Sequence, residues 1–530
     1  MRSLWPFIVC LLAFTGCRQR ETPVELGNRE GVIHLGNGAE PRDLDPHTAT
    51  SVTEANILSA LFEGLVIFAP DGKTVLPGAA ERWEVSPDGR TYTFHLRAGQ
   101  TWSNGDALTS DDFLYSFRRI VEPKLASEMA TYANWIAGAQ DYNEGKTTDL
   151  AAVGLRAPDP QTFEITLRER TPFWLTLIAQ NPFYPIHRPS VDRSNAYLRR
   201  GGEWTRPGNL VGNGPFVLKE WRVNDALTVE KNPRYWDAAR VALHGAVFHP
   251  TDDAGVEERN FRGGLLHATR SVPTSRLQEY RQQRSPLLHA DPLVSTKFIL
   301  VNVARPPFDD PAVRAAFAHA LDREALVRDV RRDGSRVADS LCVPGSGPAP
   351  GYTRREGLRH EPAPRLPTNT PRVTLTFTPS RQGDQALCEA MQAMWERELG
   401  VRAELAPQEE KVWLDTRQTK NYQLLLMSWS DINDPAALLQ LFVGGSPLND
   451  TNWSSPDYDR EYAAAGQAAT DAERWTHLQN ADALLVAHLP LIPLFHENQN
   501  YLVQPSVRGW QDNILGWHLL NGVSLEPAKR

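Results

Sequence analysis

The sequence lacks three things that would point to common classes of protein: an excess of basic charge, a long apolar segment and a complete enzyme motif. The formal net charge is −8 at pH 7 and no basic cluster is present, which argues against a general nucleic-acid-binding protein. Beyond the N-terminal stretch, no apolar run is long enough to cross a membrane as a helix. What remains is an ordinary globular composition, 41% hydrophobic and 23% charged, in a chain of 530 residues. Such a chain has room for about three or four domain cores.

Three stretches begin like enzyme or metal motifs, but each lacks a required feature. His496-Glu497 follows a strand and has no second histidine at the fourth following position, so it is not a zinc-binding helix. Gly212-Asn-Gly214 lacks the third glycine of a dinucleotide loop, and Gly345-Ser-Gly347 lies in a proline-rich loop rather than at a nucleophile elbow. We therefore predict no catalytic residues, no metal site and no cofactor. A secreted hydrolase is kept only as a remote alternative.

Cysteine is scarce, and two of the four cysteines lie in the N-terminal apolar stretch. The other two, Cys342 and Cys388, could form one disulfide in an oxidising compartment or could be two buried free thiols. The sequence leaves both possibilities open, because the distance between the two Cα atoms decides between them.

The N-terminus has the form of an export signal. Arg2 precedes an apolar run from Leu4 to Phe14, which is too short to span a bilayer. The run leads into Thr15-Gly16-Cys17, and small residues before a cysteine at this point resemble a bacterial lipobox. We predict a lipoprotein signal peptide over 1–17, lipid modification of Cys17 and a polar linker over 18–30. The protein would then be exported and held at a membrane by lipid alone.

The most informative local stretch is a strand followed at once by a helix. Leu424 to Met427 is a short apolar run bounded by polar residues, which predicts a buried strand. Asp434 before Pro435 predicts a helix start, because the carboxylate can accept from free amides and proline suits the first helical position. Trp429 and Asp431 lie between them, where open α/β sheets bind ligands. A carboxylate beside an indole suits a cationic group, although local sequence alone favours a capping role for Asp431.

A second block has a clear β pattern. Residues 81–86 and 91–96 both alternate, and the turn signal Pro87-Asp-Gly89 joins them, so they predict a hairpin. Thr109-Ser-Asp-Asp112 then begins an amphipathic helix. Strand and helix patterns alternate along the rest of the chain, which predicts an α/β fold.

Eight segments, spread in order along nearly the whole chain, together carry a resemblance to a known family. They are Leu44-Asp-Pro46-His, Phe62-Glu-Gly64-Leu, 80–113, Asn213–Trp221, Asn232–Trp236, Pro307–Ala316, Ala320–Glu324 and Trp413–Arg417. As an ordered set they resemble the large solute-binding proteins of bacterial ABC transporters, family 5, which bind oligopeptides, dipeptides or nickel. The similarity is strongest to the oligopeptide-binding branch.

This resemblance implies an α/β fold of two hinged lobes, the periplasmic-binding-protein class with an extra domain, which encloses its ligand between the lobes. Lobe I is expected to be discontinuous, over 26–62, 190–294 and 500–530. The extra domain would be 63–190, and lobe II would be 295–499.

The resemblance also implies a binding site. In the oligopeptide-binding branch an aspartate after this strand pairs with the α-amino group of the ligand, and Asp431 falls in that place. An ammonium group can donate three hydrogen bonds to such a carboxylate, and the ligand main chain would add to strand edges. The other residues expected at or near the cleft are Thr50, Ser51, Val52, Met427, Ser428, Trp429, Arg417, His267 and Arg270. For the last three, a surface or interlobe ion pair is the competing interpretation.

Two departures from the family pattern leave the hold on the ligand's C-terminus open. Leu426 stands where some relatives have an arginine for the ligand carboxylate, and the segment at Gly383-Asp384 lacks a histidine that some relatives present. Ser295 and Ser430 replace cysteines that flank the cleft in some members. A nickel chelate, haem, a cell-wall peptide or an opine-like compound therefore remains an alternative cargo.

The predicted protein is a lipid-anchored monomer on the periplasmic side of a bacterial membrane. It would capture short peptides and deliver them to the permease subunits of an ABC transporter, with no nucleic-acid partner. Closure of the two lobes around the ligand would signal occupancy to the permease.

Overall fold

The computed structural model describes residues 21–526, except for 348–350, 360, 367–371, 380, 382, 431–432 and 447. The strands are β1 Val32–Gly36, β2 Val66–Phe68, β3 Val75–Pro77, β4 Ala80–Val85, β5 Thr91–Leu96, β6 Leu155–Asp159, β7 Thr162–Thr166, β8 Phe216–Arg222, β9 Ala226–Lys231, β10 Gly245–His249, β11 Leu288–Val301, β12 Arg336–Val337, β13 Thr374–Phe377, β14 Glu404–Pro407, β15 Leu424–Ser430, β16 Leu491–Leu502, β17 Val507–Arg508 and β18 Ser524–Leu525.

The α-helices are α1 Pro23–Glu30, α2 Val52–Leu61, α3 Ser110–Ile120, α4 Ala139–Asn143, α5 Trp174–Ile178, α6 Arg188–Arg193, α7 Ala254–Arg262, α8 Thr274–Gln282, α9 Pro311–His319, α10 Arg323–Ala325, α11 Asp384–Leu399, α12 Glu410–Gln418, α13 Pro435–Leu439, α14 Pro456–Gln467 and α15 Asp471–His488. Among the helices of the described chain, none combines the length and the apolar character needed to cross a bilayer.

Distant parts of the chain build the first sheet, in the order β1-β10-β9-β8. β1 runs parallel to β10, and the other neighbours are antiparallel. Ile33 of β1 packs in a core with Ile57 and Leu58 of α2. This helix begins at a capping box, in which Ser51 and Glu54 satisfy each other's main-chain N–H groups. The sheet therefore fixes the N-terminal end of α2 at its edge.

The predicted hairpin is confirmed in the second sheet, whose order is β4-β5-β7-β6. β4 and β5 are antiparallel, and Gly89 in their turn has a φ of 70°, which suits glycine. The amphipathic helix predicted from Thr109 is α3, and its buried Phe113 lies in one core with Phe163 of β7. That core continues into the third sheet and its helices.

The third sheet has the order β12-β16-β11-β15-β13-β14. Its strand β15 confirms the strand predicted before Trp429, and Pro435 begins α13 as predicted. The Asp434 carboxylate accepts the N–H of Ala436 at 2.9 Å and the Arg474 guanidinium at 2.6 Å. Asp434 thus caps a helix and pairs with a buried charge at the same time.

The ladder between β11 and β16 has two parts. Residues 288–292 pair with 498–502, and residues 296–300 pair with 491–496, with a break in register between them. At the first end Leu288 and Leu502 pack with Phe261 and Tyr280. At the other end Ile299 and Ile492 lie in the core under α11. The two ends of this strand pair therefore reach different cores, and the register break between Pro292 and Thr296 lies close to residue 295, where lobe II is predicted to begin.

Part of the predicted N-terminal linker is instead a helix. Thr22 and Glu25 form a capping box at the start of α1, a signal that the prediction of a linker over 18–30 missed. Val24 is buried, and its N–H donates to the carbonyl of Gly264 at 2.9 Å. Residues 23–30 are therefore packed on the domain.

Both cysteines of the described chain, Cys342 and Cys388, are free and completely buried. Of the two possibilities that the sequence left open, the structure has the buried thiols. Burial raises the pKa of each thiol, which keeps both protonated and unreactive at neutral pH.

Three histidines stack beside the first sheet. The ring of His34 lies 5.4 Å from that of His249 and 5.8 Å from that of His267, measured between centroids. Nδ1 of His267 accepts the main-chain N–H of His34 at 2.9 Å. Burial lowers the pKa of all three, to about 4 for His249 and about 3 for His267. The cluster is therefore neutral in the native protein at neutral pH.

We predict that this cluster makes the protein acid-sensitive. Because the native pKa of His267 lies below its value of about 6.5 in an unfolded chain, its stabilising contribution is complete above pH 6.5 and is lost as the pH falls towards 3. His267→Gln should flatten the decline of the free energy of unfolding between pH 6.5 and 4 by up to about 1.4 kcal/mol per pH unit. Urea unfolding at several pH values measures this. His488→Gln at the surface is the control, and equal slopes for the wild type and His267→Gln would contradict the prediction.

Candidate functional site

One face of the six-stranded sheet changes from apolar to polar along its strands. Leu426 of β15 and Ile299 of β11 are register partners and lie in the core under α11. Because every second residue of a strand points to the same face, the following residues of that face are polar. They are Ser428 and Ser430 of β15, whose register partners are Lys297 and Ser295 of β11. The change occurs where α11 begins, so the helix does not cover this end of the sheet.

A short hydrogen-bonded chain crosses this polar end. Ser430 Oγ donates to Ser295 Oγ at 3.0 Å, and Ser295 Oγ donates to the Glu497 carboxylate at 2.6 Å. Ser430 is exposed and Glu497 half-buried, whereas Ser295 is completely buried. Glu497 lies at the register break between β11 and β16, and such breaks redirect side chains. The Glu497 carboxylate is therefore held at the end of β15, near Ser430. Asp431 is the next residue in the sequence.

Beneath this chain lies a buried ion pair. The Lys297 ammonium contacts both oxygens of Asp384, at 2.6 and 2.7 Å, and both side chains are almost fully buried. Burial raises the pKa of Asp384, and the charge of Lys297 opposes that rise. Asp384 is also the first residue of α11, where the helix dipole favours a negative charge. The pair anchors the start of α11 against the polar end of the sheet.

The structure brings together two of the predicted site residues, Arg417 and Trp429. The guanidinium carbon of Arg417 lies 5.8 Å from the ring centroid of Trp429 and 5.8 Å from that of Trp413. Its Nε is 3.3 Å from the Asp450 carboxylate. These residues lie on the opposite face of β15 from Ser428, and Met427 on that face is buried in the core.

On the side of β15 that faces away from β11, pairing with β13 ends before this polar end of the strand. β11 pairs with the strand along its whole length, whereas β13 pairs only with Leu424 and Leu425. From Leu426 to Ser428, no other strand of the described chain pairs with this second side. Main-chain groups on such a side can pair with an added strand.

Thr50, Ser51 and Val52 form the exposed start of α2. The main-chain N–H groups of Thr50 and Ser51 both donate to the Glu54 carboxylate, at 3.2 and 3.0 Å. This segment is therefore a capped helix start rather than a strand edge. Any pairing with a ligand main chain here would use carbonyl groups or would need Glu54 to move.

His267 and Arg270 follow one another closely but have different surroundings. His267 is completely buried, and both ring nitrogens are within hydrogen-bonding distance of groups of the fold, His34 N–H and the Asn28 side chain. Arg270 instead lines a pocket with residues of β1, α2 and the C-terminal segment. Of the two, only Arg270 is placed to meet a ligand.

The remaining two predicted residues, Asp431 and Cys17, lie outside the described residues. The sequence-based interpretation missed Lys297, Asp384 and Glu497 as parts of one arrangement. The lysine offered a signal, because a charged residue two positions before Ile299 interrupts the apolar face of a buried strand.

Residues 74–450 match the bacterial extracellular solute-binding proteins, family 5 (middle region), and the chain belongs to this family. It is 31% identical to the periplasmic oligopeptide-binding protein OppA of Salmonella typhimurium, over 95% of this chain and 94% of that protein. It is also 31% identical to the periplasmic murein peptide-binding protein MppA of Escherichia coli, over 92% of this chain and 91% of MppA.

Solved structures agree with this assignment. The structure of E. coli MppA, the murein tripeptide-binding protein, aligns with a TM-score of 0.79 at 29% identity over 93% of this chain and 98% of that one. Haemophilus influenzae OppA in complex with the peptide RPPGFSPFR aligns with a TM-score of 0.76 at 25% identity, over 94% and 99% of the two chains. The predicted two-lobed α/β fold of periplasmic binding proteins is thereby confirmed.

The pair of Lys297 and Asp384 generates a prediction for stability. Lys297→Met leaves the Asp384 carboxylate buried without its partner, which should lower the free energy of unfolding by about 3–5 kcal/mol. Adding Asp384→Leu should recover most of this loss, because the remaining pair is apolar. Urea unfolding followed by tryptophan fluorescence measures both variants.

The exposed pair of Lys219 and Glu230, with an N–O distance of 2.9 Å, provides the control. Lys219→Met should cost less than about 1 kcal/mol. Equal losses for Lys297→Met and Lys219→Met would contradict the structural role given to the buried pair.

Proposed function

We propose that this protein is the peptide-binding component of a bacterial ABC importer, which captures short peptides outside the cytoplasm and delivers them to the permease. The observation that carries the proposal is the end of β15, where pairing with β13 stops after Leu425 and the adjoining polar face holds the Glu497 carboxylate. Family membership and the likeness to OppA and MppA support it. The structure of a relative with a nonapeptide indicates that the fold accommodates extended peptides.

Recognition through the ligand main chain would explain binding with little sequence preference. Residues 426–428 of β15 lie beyond the part of the strand that pairs with β13, and an extended peptide can add there as a strand. Side chains of the ligand would then point alternately to the two faces of the sheet. One face has Ser428 and Ser430, and the other has Trp429.

The acidic groups near Ser430 suit the α-amino end of a peptide. Glu497 is held there by Ser295, and Asp431 follows Ser430 directly in the sequence. We propose Asp431 as the main partner of the ligand ammonium, by its likeness to the aspartate of the oligopeptide-binding branch, with Glu497 adding negative charge. A charge-assisted hydrogen bond in such a site is stronger than a neutral one.

We predict that Asp431→Asn weakens binding of a free-amine tripeptide by roughly 10- to 100-fold. The N-acetylated form of the same peptide should bind the wild-type protein weakly, and Asp431→Asn should change its affinity little. Isothermal titration calorimetry measures all four combinations, with Asp457→Asn on the surface of α14 as the control. Equal affinity of the wild type for the free and acetylated peptides would refute the assignment of Asp431.

The likeness to a murein peptide-binding protein favours one alternative cargo, a cell-wall peptide, over the other non-standard cargoes. Native mass spectrometry of the protein purified from its own cells would distinguish a short linear peptide from a cell-wall peptide as the cargo, because solute-binding proteins often retain their ligand. Masses of linear peptides of ordinary amino acids support the main proposal, and masses of cell-wall fragments support the alternative. A retained bile acid, haem or metal chelate would contradict both.

We further propose that the mature protein begins at Cys17 and is held at the periplasmic side of a membrane by lipid. The support is the apolar run followed by Gly16-Cys17. We predict that the wild-type protein sediments with membranes and that Cys17→Ser moves it to the soluble periplasmic fraction. Mass spectrometry of the N-terminal peptide should find lipid on Cys17 in the wild type only. A soluble, unmodified wild-type protein would contradict the anchor.

A further inference from the structure

A small pocket of about 40 Å³ lies beside the first sheet, between β1, α2 and the C-terminal segment. Its walls combine amides with aromatic rings and include Asn37, Asn56, Tyr501, Trp510 and His518. The rings of Trp510 and His518 are in contact, with 4.4 Å between their centroids. The pocket is of a size that holds a small group of a ligand rather than a whole peptide.

Arg270 is the only residue with a full charge among the described residues that line this pocket. No acidic side chain lines it, and burial lowers the pKa of His518 to about 4, so that His518 is neutral at pH 7. The pocket therefore presents a positive charge together with neutral hydrogen-bonding groups.

The Arg270 guanidinium has no hydrogen bond or ion pair within the described chain. Glu257 attracts it electrostatically, but the Glu257 oxygens accept the main-chain N–H groups of Arg270 and Ser271, both at 3.1 Å. A half-buried charge without a direct partner is costly unless a ligand supplies one.

The surrounding chain holds the main chain at Arg270 and leaves room for its side chain. Gln499 Nε2 donates to the Arg270 carbonyl at 2.9 Å. Gly38 gives room to the arginine, since a Cβ at that position would come within 2.9 Å of Arg270 Cδ. Gly38 also has a φ of 70°, a conformation that favours glycine. The fold thus accommodates the arginine stem beside the pocket.

The pocket adjoins both parts of the proposed peptide site. On one side the Asn37 amide donates to the carbonyl of Thr53, in the first turn of α2. On the other side Gln499 lies two residues after Glu497 on β16, which is a distance of about 7 Å along a strand. A peptide at the end of β15 could therefore extend a carboxylate into this pocket.

We propose that the Arg270 pocket receives a carboxylate of the bound peptide and thereby selects peptides that carry an anionic group at that point. This deepens the proposed function, on which it rests. The carboxylate can belong to an Asp or Glu side chain or to the C-terminus of a short peptide. Both present the same planar group, which a guanidinium binds through two parallel hydrogen bonds.

The test measures binding of four tripeptides to the full-length protein without its lipid by isothermal titration calorimetry. The probes are Ala-Ala-Ala, its C-terminal amide, Ala-Glu-Ala and Ala-Gln-Ala. The wild type is compared with Arg270→Gln and with Arg270→Lys, which keeps the charge. Arg262→Gln, an exposed arginine of α7, is the control. Circular dichroism and thermal unfolding establish that each variant is folded.

In one of the two pairs of probes, wild-type protein should bind the peptide with the extra carboxylate more tightly, by roughly 10- to 100-fold. The pairs are Ala-Ala-Ala with its amide and Ala-Glu-Ala with Ala-Gln-Ala. Preference for Ala-Glu-Ala over Ala-Gln-Ala identifies the side chain as the source, and preference for Ala-Ala-Ala over its amide identifies the C-terminus. Arg270→Gln should lose the preference but still bind the neutral probe, whereas Arg270→Lys should keep part of it.

Two results would overturn the inference. If Arg270→Gln keeps the wild-type preference, or the wild type binds neutral and acidic probes alike, peptide binding stands but the Arg270 pocket does not select an anion. If the wild type binds none of the four probes and retains no peptide in native mass spectrometry, the proposed function fails and the inference fails with it.

Discussion

The antiparallel ladder between β11 and β16 is the interaction on which the rest of the structure depends. Its two ends reach different cores, and a break in register separates them. A continuous ladder would carry the alternation of side chains unchanged through the boundary. The break instead leaves Glu497 opposite Ser295, at the edge of the region where α11 no longer covers the sheet. The register break therefore contributes directly to the candidate site, because it places Glu497 beside Ser295.

Charge is distributed around this region according to burial. Lys297 and Asp384 are buried and paired with each other, so they serve the packing of α11 rather than a ligand. Glu497 is half-buried and held by a neutral serine, and Arg270 is half-buried with no direct partner in the described chain. Glu497 and Arg270 both retain capacity for a further hydrogen bond or ion pair. A peptide, which carries both an ammonium and a carboxylate, complements such a surface at both of its ends.

Local rules predicted the elements around β15 well, because the apolar run, the cap at Asp434 and the proline at the first helical turn all act within a few residues. The long strand β11 is harder to predict, since Pro292, Ser295 and Lys297 interrupt its apolar pattern. The partners that explain these polar residues are distant in sequence: Asp384 is 87 residues from Lys297, and Glu497 is 202 residues from Ser295. The family resemblance predicted a two-lobed fold but could not predict which individual side chains are buried. His267 was expected near the cleft and instead packs between α1 and β1, whereas Arg270, three residues later, lines a pocket.

Gly38 links two positions that are far apart in the sequence. A side chain at position 38 would occupy the space of the Arg270 stem and would be strained by the backbone conformation. The two positions are therefore not free to vary independently: a chain with a larger residue at 38 would have to shorten or redirect residue 270. Gly38 and Arg270 therefore form a pair of positions in which each residue depends on the other. In the proposed anion site, glycine at position 38 is therefore as much a requirement as the arginine at position 270.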